Sequence, residues 1–255
     1  MSKTLYRGSR KHILDWTERK EEFVQGINKL LKPTDAFVGT SDFWMPNGYE
    51  RPAEARLCNV NSEYLGNNVK ASLANWWLVH KKNANTPNWD LLVTCTIEGR
   101  KGLVLFEAKA NVSELKEEGK ILKPDASKHS RDNHARIGKA IEEVQIALAK
   151  TIPGVNISRD SHYQLSNRIA YAYKLAFMGI PVVLVYLGFL NDRGIIDAGE
   201  PFRSDKHWRK VLEDHMEKVL PVSFTERQIN CNGTPMQMLI RSRKIYQVSS
   251  PQSAW

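Results

Sequence analysis

The sequence has few cysteines and no close pair of them. Its three cysteines are Cys58, Cys95 and Cys231, and none belongs to a C-x-x-C pair. A disulfide framework needs an even set of cysteines in a secreted chain, and a structural zinc site needs clustered ones. The spacing argues against both and indicates a reducing compartment.

The sequence also lacks long apolar runs, internal repeats, low-complexity blocks and a recognisable linker. Its first segment, MSKTLYRGSRKHILDW, carries charges but no apolar stretch of the kind found in a secretory signal. The most apolar run, IPVVLVYLGFL at 180–190, is too short to cross a bilayer. We therefore expect a cytoplasmic protein that has no membrane contact and forms a single domain over residues 1–255.

What the chain does have is apolar content and positive charge. Hydrophobic residues make up 42% of the 255 residues, which is enough for a packed core. The formal net charge is +9. A chain this basic is typical of proteins that meet a polyanion, and nucleic acid is the commonest one.

The hydrophobic pattern predicts an α/β protein. The segment 83–110 indicates a β-hairpin with its turn at GRKG, and 180–190 indicates a strand that is buried on both faces. MQMLIRS, after residue 221, indicates a further short strand, whereas 33–60 and 111–130 are irregular or polar. Helical spacing predicts five helices, at about 14–32, 63–82, 131–150, 160–178 and 204–219.

The hairpin carries a group of charged residues. Glu107 and Lys109 lie two positions apart near the end of the second arm and therefore share a face of the strand. Asp90 begins the first arm, so an antiparallel hairpin brings both carboxylates to the same end of the sheet. Two neighbouring carboxylates suit Mg²⁺, and a lysine beside them would orient a water molecule or stabilise negative charge.

This arrangement resembles the PD-(D/E)XK nuclease superfamily. The matching residues are Pro87-Asn88-Trp89-Asp90 and Glu107-Ala108-Lys109, although the family's proline usually directly precedes its aspartate. The resemblance covers about 60–190 and implies a restriction-endonuclease-like core, in which helices flank a central mixed β-sheet. Residues 1–60 and 191–255 would be N- and C-terminal elaborations of that core.

The resemblance also implies roles for individual residues. Asp90 and Glu107 would be metal ligands, the backbone carbonyl of Ala108 would add a third ligand, and Lys109 would be the catalytic lysine. Glu63 would be a further ligand, as in members that take a glutamate from the preceding helix; the alternative is an ordinary acid in a first helical turn. The implied cofactor is Mg²⁺, with Mn²⁺ as a substitute.

Candidate nucleic-acid contacts lie outside the hairpin. Gln164, Asn167 and Arg168 share one face of the helix at 160–178, which the resembling family often uses to contact phosphates. Lys128 and Arg131 belong to a basic stretch at 123–139 that would cover a nucleic-acid backbone. For both groups the alternative is a solvated surface. His129 and His134 lie in the same stretch, and a zinc site there is not expected.

Three functions remain open from the sequence. The first is a Mg²⁺-dependent nuclease, an enzyme that hydrolyses phosphodiester bonds and acts as an endonuclease on duplex DNA. The second is a nucleic-acid-binding protein that has the same fold and no catalytic activity. The third is an interaction domain in which Glu107 and Lys109 merely pair. A restriction-type enzyme would need a symmetric homodimer to cut both strands, and nothing in the sequence fixes the oligomeric state.

Overall fold

The computed structural model describes residues 6–82 and 84–245. Within these ranges six strands form one mixed sheet in the order β1-β4-β5-β6-β8-β7, while β2 and β3 pair separately. The predicted class, an α/β fold with a central mixed sheet flanked by helices, is confirmed. The strands are β1 (Trp44–Met45), β2 (Ala55–Arg56), β3 (Asn88–Trp89), β4 (Leu91–Ile97), β5 (Arg100–Lys109), β6 (Val182–Leu190), β7 (Gln228–Cys231) and β8 (Thr234–Lys244).

The predicted hairpin is formed by β4 and β5, which pair in antiparallel register. Its turn is Glu98–Gly99, slightly earlier than the predicted GRKG. Both turn residues have positive φ, 49° and 73°, as the tight two-residue hairpin turn requires, and Gly99 adopts that conformation without strain. β5 then pairs parallel with β6, and β6 parallel with β8. Every residue of β6 is buried, which explains its uninterrupted apolar sequence.

Six α-helices surround this sheet in the described part of the chain. Those at 131–150, 160–178 and 204–219 are present with shifted ends, whereas the predicted helix at 14–32 is two helices separated at Glu18 and Arg19. A residue distant in sequence stabilises this break, because the Glu18 carboxylate accepts a hydrogen bond from the backbone N–H of Tyr49 (2.8 Å). The helices are α1 (Gly8–Thr17), α2 (Lys20–Leu31), α3 (Asn67–Trp77), α4 (Lys128–Ala149), α5 (Tyr163–Phe177) and α6 (Asp205–Met216).

Two apolar cores lie on opposite faces of the sheet. Helices α1 and α2 cover one face, and α3, α4, α5 and α6 cover the other. Side chains of β5 alternate between the cores, with Val104 and Phe106 on the α1–α2 side and Leu103 and Leu105 on the α5 side. Since Glu107 continues the second series, the charged end of β5 faces α5.

The segments outside 60–190 contribute to this sheet. The N-terminal segment supplies α1, α2 and the edge strand β1, and the C-terminal segment supplies β7 and β8. β8 therefore lies inside the sheet between β6 and β7. Among the described helices, none is both long enough and apolar enough to cross a membrane.

Candidate active site

The two predicted carboxylates lie together at the open end of the hairpin. β4 begins at Leu91, which is paired with Phe106, so Asp90 lies opposite Glu107. The Asp90 carboxylate accepts a hydrogen bond from the backbone N–H of Ala108 (Oδ2 to N, 2.7 Å). This contact fixes Asp90 beside the last residues of β5.

Glu107 and Lys109 form a buried ion pair on the α5 side of the sheet. Lys109 Nζ lies 2.6 Å from Glu107 Oε1, and the two residues, Lys109 and Glu107, are only 5% and 1% exposed. Burying a charge is costly unless it is paired and hydrogen-bonded. The pair therefore needs its remaining hydrogen-bonding capacity satisfied by neighbours.

Helix α5 supplies those neighbours. Arg168 Nε donates to Glu107 Oε2 at 2.5 Å, and Gln164 Oε1 accepts from Lys109 Nζ at 2.9 Å. Gln164 and Arg168 are four residues apart and so lie on one helix face. The Arg168 guanidinium also lies 4.7 Å from the ring centroid of Trp89. One helix thus holds both members of the ion pair.

The sequence alternatives for this helix face were a phosphate contact and a solvated surface. Arg168 and Asn167 are 6% and 4% exposed, so the solvated surface is wrong for both, and the same burial gives their predicted phosphate contact no support. Arg168 donates both to Glu107 and to the Asn167 side chain, so its guanidinium is held inside the protein. Gln164 is half-buried, and its contact with a nucleic acid stays a prediction.

Electrostatics distinguish the two carboxylates. Burial and the neighbouring charge of Glu107 raise the pKa of Asp90 to about 7. Burial favours a neutral Glu107 as well, but the charges of Arg168 and Lys109 outweigh it and hold the pKa of Glu107 below its ordinary value. At neutral pH Glu107 is therefore ionised, whereas Asp90 lies near its titration point and would be fully ionised beside an added cation.

The same balance keeps the two cations charged. Burial lowers the pKa of Lys109, yet the carboxylates of Glu107 and Asp90 more than compensate, so that its pKa is raised overall. The pKa of Arg168 is raised for the same reason, with Glu107 as its main partner. At neutral pH the cluster consequently contains two cations and one ionised acid, Glu107.

The donor atoms fit a hard divalent cation. Asp90 and Glu107 offer carboxylate oxygens, and the Ala108 carbonyl points to the Asp90 side of β5, because the N–H and C=O of one strand residue point the same way. The pairing of β4 with β5 ends at Leu91 and Phe106, so no residue of β4 pairs with Ala108. Oxygen donors of this kind suit Mg²⁺ or Mn²⁺. A bound ion would share Glu107 with Lys109 and Arg168.

Glu63 is not brought to this cluster. It lies in a turn before α3, which begins at Asn67 and not at 63, so the predicted helical position is wrong. The Glu63 backbone carbonyl accepts a hydrogen bond from Lys101 Nζ (2.8 Å), and Lys101 is near the hairpin turn, at the opposite end of β5 from Glu107. The structure therefore gives Glu63 no part in the site.

Lys128 and Arg131 lie in the first turn of α4, which begins three residues earlier than expected because Ser127 caps it. Both side chains are exposed, and Arg131 donates to the backbone carbonyl of Ala126. Their contact with a nucleic acid stays a prediction. Of the two histidines nearby, His129 stacks on His80, with ring centroids 3.9 Å apart, and His134 pairs with the Lys120 carbonyl.

Sequence reasoning did not find the pairing of Arg168 with Glu107. A signal for it was present, because a strand buried on both faces, such as β6, must be covered by the helix that precedes it. Polar residues on the inner face of that helix, α5, must then find partners on the sheet. The end of the neighbouring strand β5, where Glu107 and Lys109 extend past the pairing with β4, is where such partners are available.

Comparison of the chain with protein-family models, with curated proteins and with solved structures found no match in any of the three. The proposals below therefore depend on the geometry of the site.

Proposed function

We propose that the chain is a metal-dependent nuclease of the PD-(D/E)XK type that hydrolyses phosphodiester bonds in DNA. The observation that carries this proposal is the placement of Asp90 opposite Glu107, with Lys109 two residues beyond, at the open end of one hairpin. This places two carboxylates, a backbone carbonyl and an ammonium group within one small region, which is sufficient for metal-assisted hydrolysis.

Each residue has a distinct part in this proposal. Asp90, Glu107 and the Ala108 carbonyl would hold Mg²⁺ or Mn²⁺, which would contribute Lewis-acid chemistry at the phosphate and a lower pKa for a bound water molecule. Lys109 stabilises the negative charge that develops on the phosphate or orients the attacking water. Gln164 and Arg168 are positioning residues, because they act by holding Lys109 and Glu107 in place.

The charge of the chain supports a nucleic acid as the substrate. The net charge is +9, and Lys128 and Arg131 extend into solvent at the start of α4. Cations of this kind bind phosphates without reading sequence, and they make binding salt-dependent. We propose duplex DNA as the substrate and an endonuclease as the activity, with a symmetric homodimer as the arrangement that would cut both strands.

The test is a cleavage assay with purified protein on supercoiled plasmid, linear duplex and single strand, with Mg²⁺, Mn²⁺ or EDTA. We expect nicking or linearisation of plasmid with either metal and none with EDTA. Asp90→Asn should abolish cleavage, since one oxygen ligand and one charge are lost, while its amide oxygen can still accept the Ala108 hydrogen bond. Glu118→Gln, at an exposed position, is the control. Wild-type rates for Asp90→Asn, with its fold verified by circular dichroism, would refute the assignment.

One observation favours a second candidate function, a nucleic-acid-binding protein without catalysis. Both carboxylate oxygens of Glu107 are already engaged, by Lys109 and by Arg168, so this acid is neutralised with no metal present. Calorimetry with Mn²⁺ separates the two candidates. A catalytic site binds Mn²⁺ in a step that is lost in Asp90→Asn, whereas the binding protein shows no Mn²⁺ uptake that depends on Asp90 and holds DNA equally well in EDTA.

A further inference from the structure

A second cluster of candidate ligands lies outside the hairpin site. Within residues 6–82 and 84–245, one group of three histidine or acidic side chains has ligand atoms that all lie within 4.8 Å of one another. Its members are Glu117 in the loop after β5, His162 at the start of α5 and His215 in the last turn of α6. Three separate segments of the chain therefore converge at this point.

His162 is the strongest sign that a ligand is missing. The residue is 3% exposed, and neither of its ring nitrogens has a hydrogen-bond partner among the described residues. Buried polar atoms are nearly always paired, so two unpaired nitrogens on one ring need an explanation. The backbone of His162 is also in the left-handed region (φ 44°) and is held there by the hydrogen bond from its N–H to the Glu117 carbonyl (2.7 Å).

The other two residues, His215 and Glu117, add a second imidazole and a carboxylate to the cluster. The His215 ring lies 4.9 Å from the His162 ring, centroid to centroid, and burial together with the nearby His162 lowers the pKa of His215 to about 4. Its ring is thus neutral at pH 7. Glu117 is exposed and offers its carboxylate from the solvent side, where Lys218 is 3.4 Å away.

We propose that Glu117, His162 and His215 bind a zinc-type transition-metal ion, with water as a fourth ligand. Two imidazoles and one carboxylate suit Zn²⁺, whereas Mg²⁺ prefers oxygen ligands alone. Tetrahedral ligands at ~2.0–2.2 Å from zinc are separated by roughly 3.3–3.6 Å. Separations of up to 4.8 Å in the structure need only a small inward movement, which exposed Glu117 can supply by a change of rotamer.

This centre would share no residue with the hairpin site but would bear on it through α5. His162 precedes Gln164 by two residues, and the same helix carries Arg168. A metal that ties the start of α5 to α6 and to the loop after β5 fixes the helix that holds Lys109 and Glu107. The ion would therefore have a structural role beside the candidate active site.

The test is zinc binding by the full chain after EDTA treatment and dialysis. Competition with a chromophoric chelator should show one tight equivalent of Zn²⁺, with Kd below about 1 μM, and Co²⁺ should give the visible absorption bands of a four-coordinate site. Glu117→Gln and His215→Asn should each weaken zinc binding at least tenfold. Glu118→Gln changes a neighbouring exposed acid whose described contacts are made by the backbone, so it should bind as the wild type does.

Three results would overturn the proposal, two of them at the proposed cluster and one at the hairpin site. The first is the absence of a tight zinc equivalent in the wild type, and the second is unchanged zinc affinity in Glu117→Gln. Because the Glu117 side chain is exposed, that variant stays informative if His215→Asn does not fold. Asp90→Asn should leave zinc affinity unchanged, and a decrease there would place the ion at the hairpin site and refute the assignment. None of these measurements depends on DNA cleavage.

Discussion

The two faces of β5 show how one strand serves two purposes at its end. On the α1–α2 face, Phe106 and Ala108 lie in an apolar core, and the Phe106 ring packs edge-on against Trp16 with centroids 6.2 Å apart. On the α5 face, Glu107 and Lys109 alternate with these residues and are also buried. Neighbouring residues of the same strand are therefore all buried, but one set is apolar and the other is charged.

The difference lies in what each face contributes to free energy. Burying apolar side chains stabilises the fold in proportion to the area removed from water. A buried ion pair contributes little net stability, because desolvation offsets most of the attraction, yet removing one partner is costly. We infer that the α1–α2 face holds the strand rigid, and that the α5 face holds charges that would be less costly in solvent. Substitutions on the two faces should separate stability from activity.

Among substitutions on β5, the largest effect on activity is expected for Glu107→Gln. The substitution removes a proposed metal ligand and leaves Arg168 and Lys109 without their anion, so metal-dependent cleavage should fall by about 10³-fold or more. Plasmid nicking with Mg²⁺ under single-turnover conditions measures it, and Phe106→Leu on the opposite face is the matched control. If Glu107→Gln does not fold, Glu107→Asp is the variant to measure. Cleavage within tenfold of wild type in a folded Glu107 variant would contradict the assigned role.

The opposite face should show the reverse behaviour. Phe106→Ala deletes a fully buried ring and should lower the free energy of unfolding by about 3–5 kcal/mol. Chemical denaturation in EDTA measures this decrease. Once corrected for the folded fraction, Mn²⁺ affinity should stay close to wild type, because no donor atom is changed. A large drop in that corrected affinity would mean that the two faces are not separable.

Asp90→Asn should change how stability depends on pH in the metal-free protein. The folded-state pKa of Asp90 is raised to about 7 from an ordinary value of 3.8. The protonated form therefore stabilises the fold fully below about pH 4, and this stability is lost progressively as the pH rises through 7. At ~1.4 kcal/mol per pKa unit the decrease is about 4 kcal/mol at most.

The asparagine variant has no charge to desolvate and should escape this decrease. Its stability relative to wild type should rise between pH 5 and pH 8 and level off above pH 8. Guanidinium denaturation of both proteins in EDTA at several pH values measures the difference, with Glu118→Gln as an exposed control. A difference that does not vary with pH would show that Asp90 is not held near its titration point.

The fold was largely predictable because its signals are local. Alternating and continuous apolar runs identified β4, β5 and β6, and the order of helices around them indicated the α/β class. The split of the first helix was not predictable, because the break at Glu18 depends on a contact with Tyr49, which is distant in sequence. The predicted helical position of Glu63 was wrong because it was assigned from spacing alone, whereas α3 begins at Asn67.

The candidate site was predictable in part for the same reason. Asp90, Glu107 and Lys109 are related by one hairpin, so register alone places them together. Arg168 and the cluster of Glu117, His162 and His215 join elements that meet only in the folded chain. Local spacing contains no information on such tertiary contacts, which depend on how α5 packs on the sheet.

A smaller effect is expected for Gln164→Ala on α5. The Gln164 amide oxygen accepts a hydrogen bond from Lys109 Nζ. The variant therefore removes one acceptor of the ammonium group but no proposed metal ligand. The rate of cleavage should fall by about tenfold, which corresponds to ~1.4 kcal/mol. Mn²⁺ affinity should not change, whereas the pH profile of the rate should shift. Rescue by Gln164→Glu, which restores an acceptor for Lys109, would support a positioning role, and an equal decrease in metal affinity would argue against it.

The smallest effect is expected at the start of α4, away from both faces of β5. Lys128→Ala and Arg131→Ala each remove one exposed cation, so DNA affinity should fall by a few-fold and the slope of its salt dependence by about one unit for each phosphate that is no longer neutralised. Fluorescence anisotropy with a labelled duplex at several salt concentrations measures both quantities. Lys29→Ala, an exposed cation on α2 at the other face, is the control. If Lys29→Ala changes the slope as much as the α4 variants do, the cations act through net charge alone, and α4 is not a preferred path for the DNA backbone.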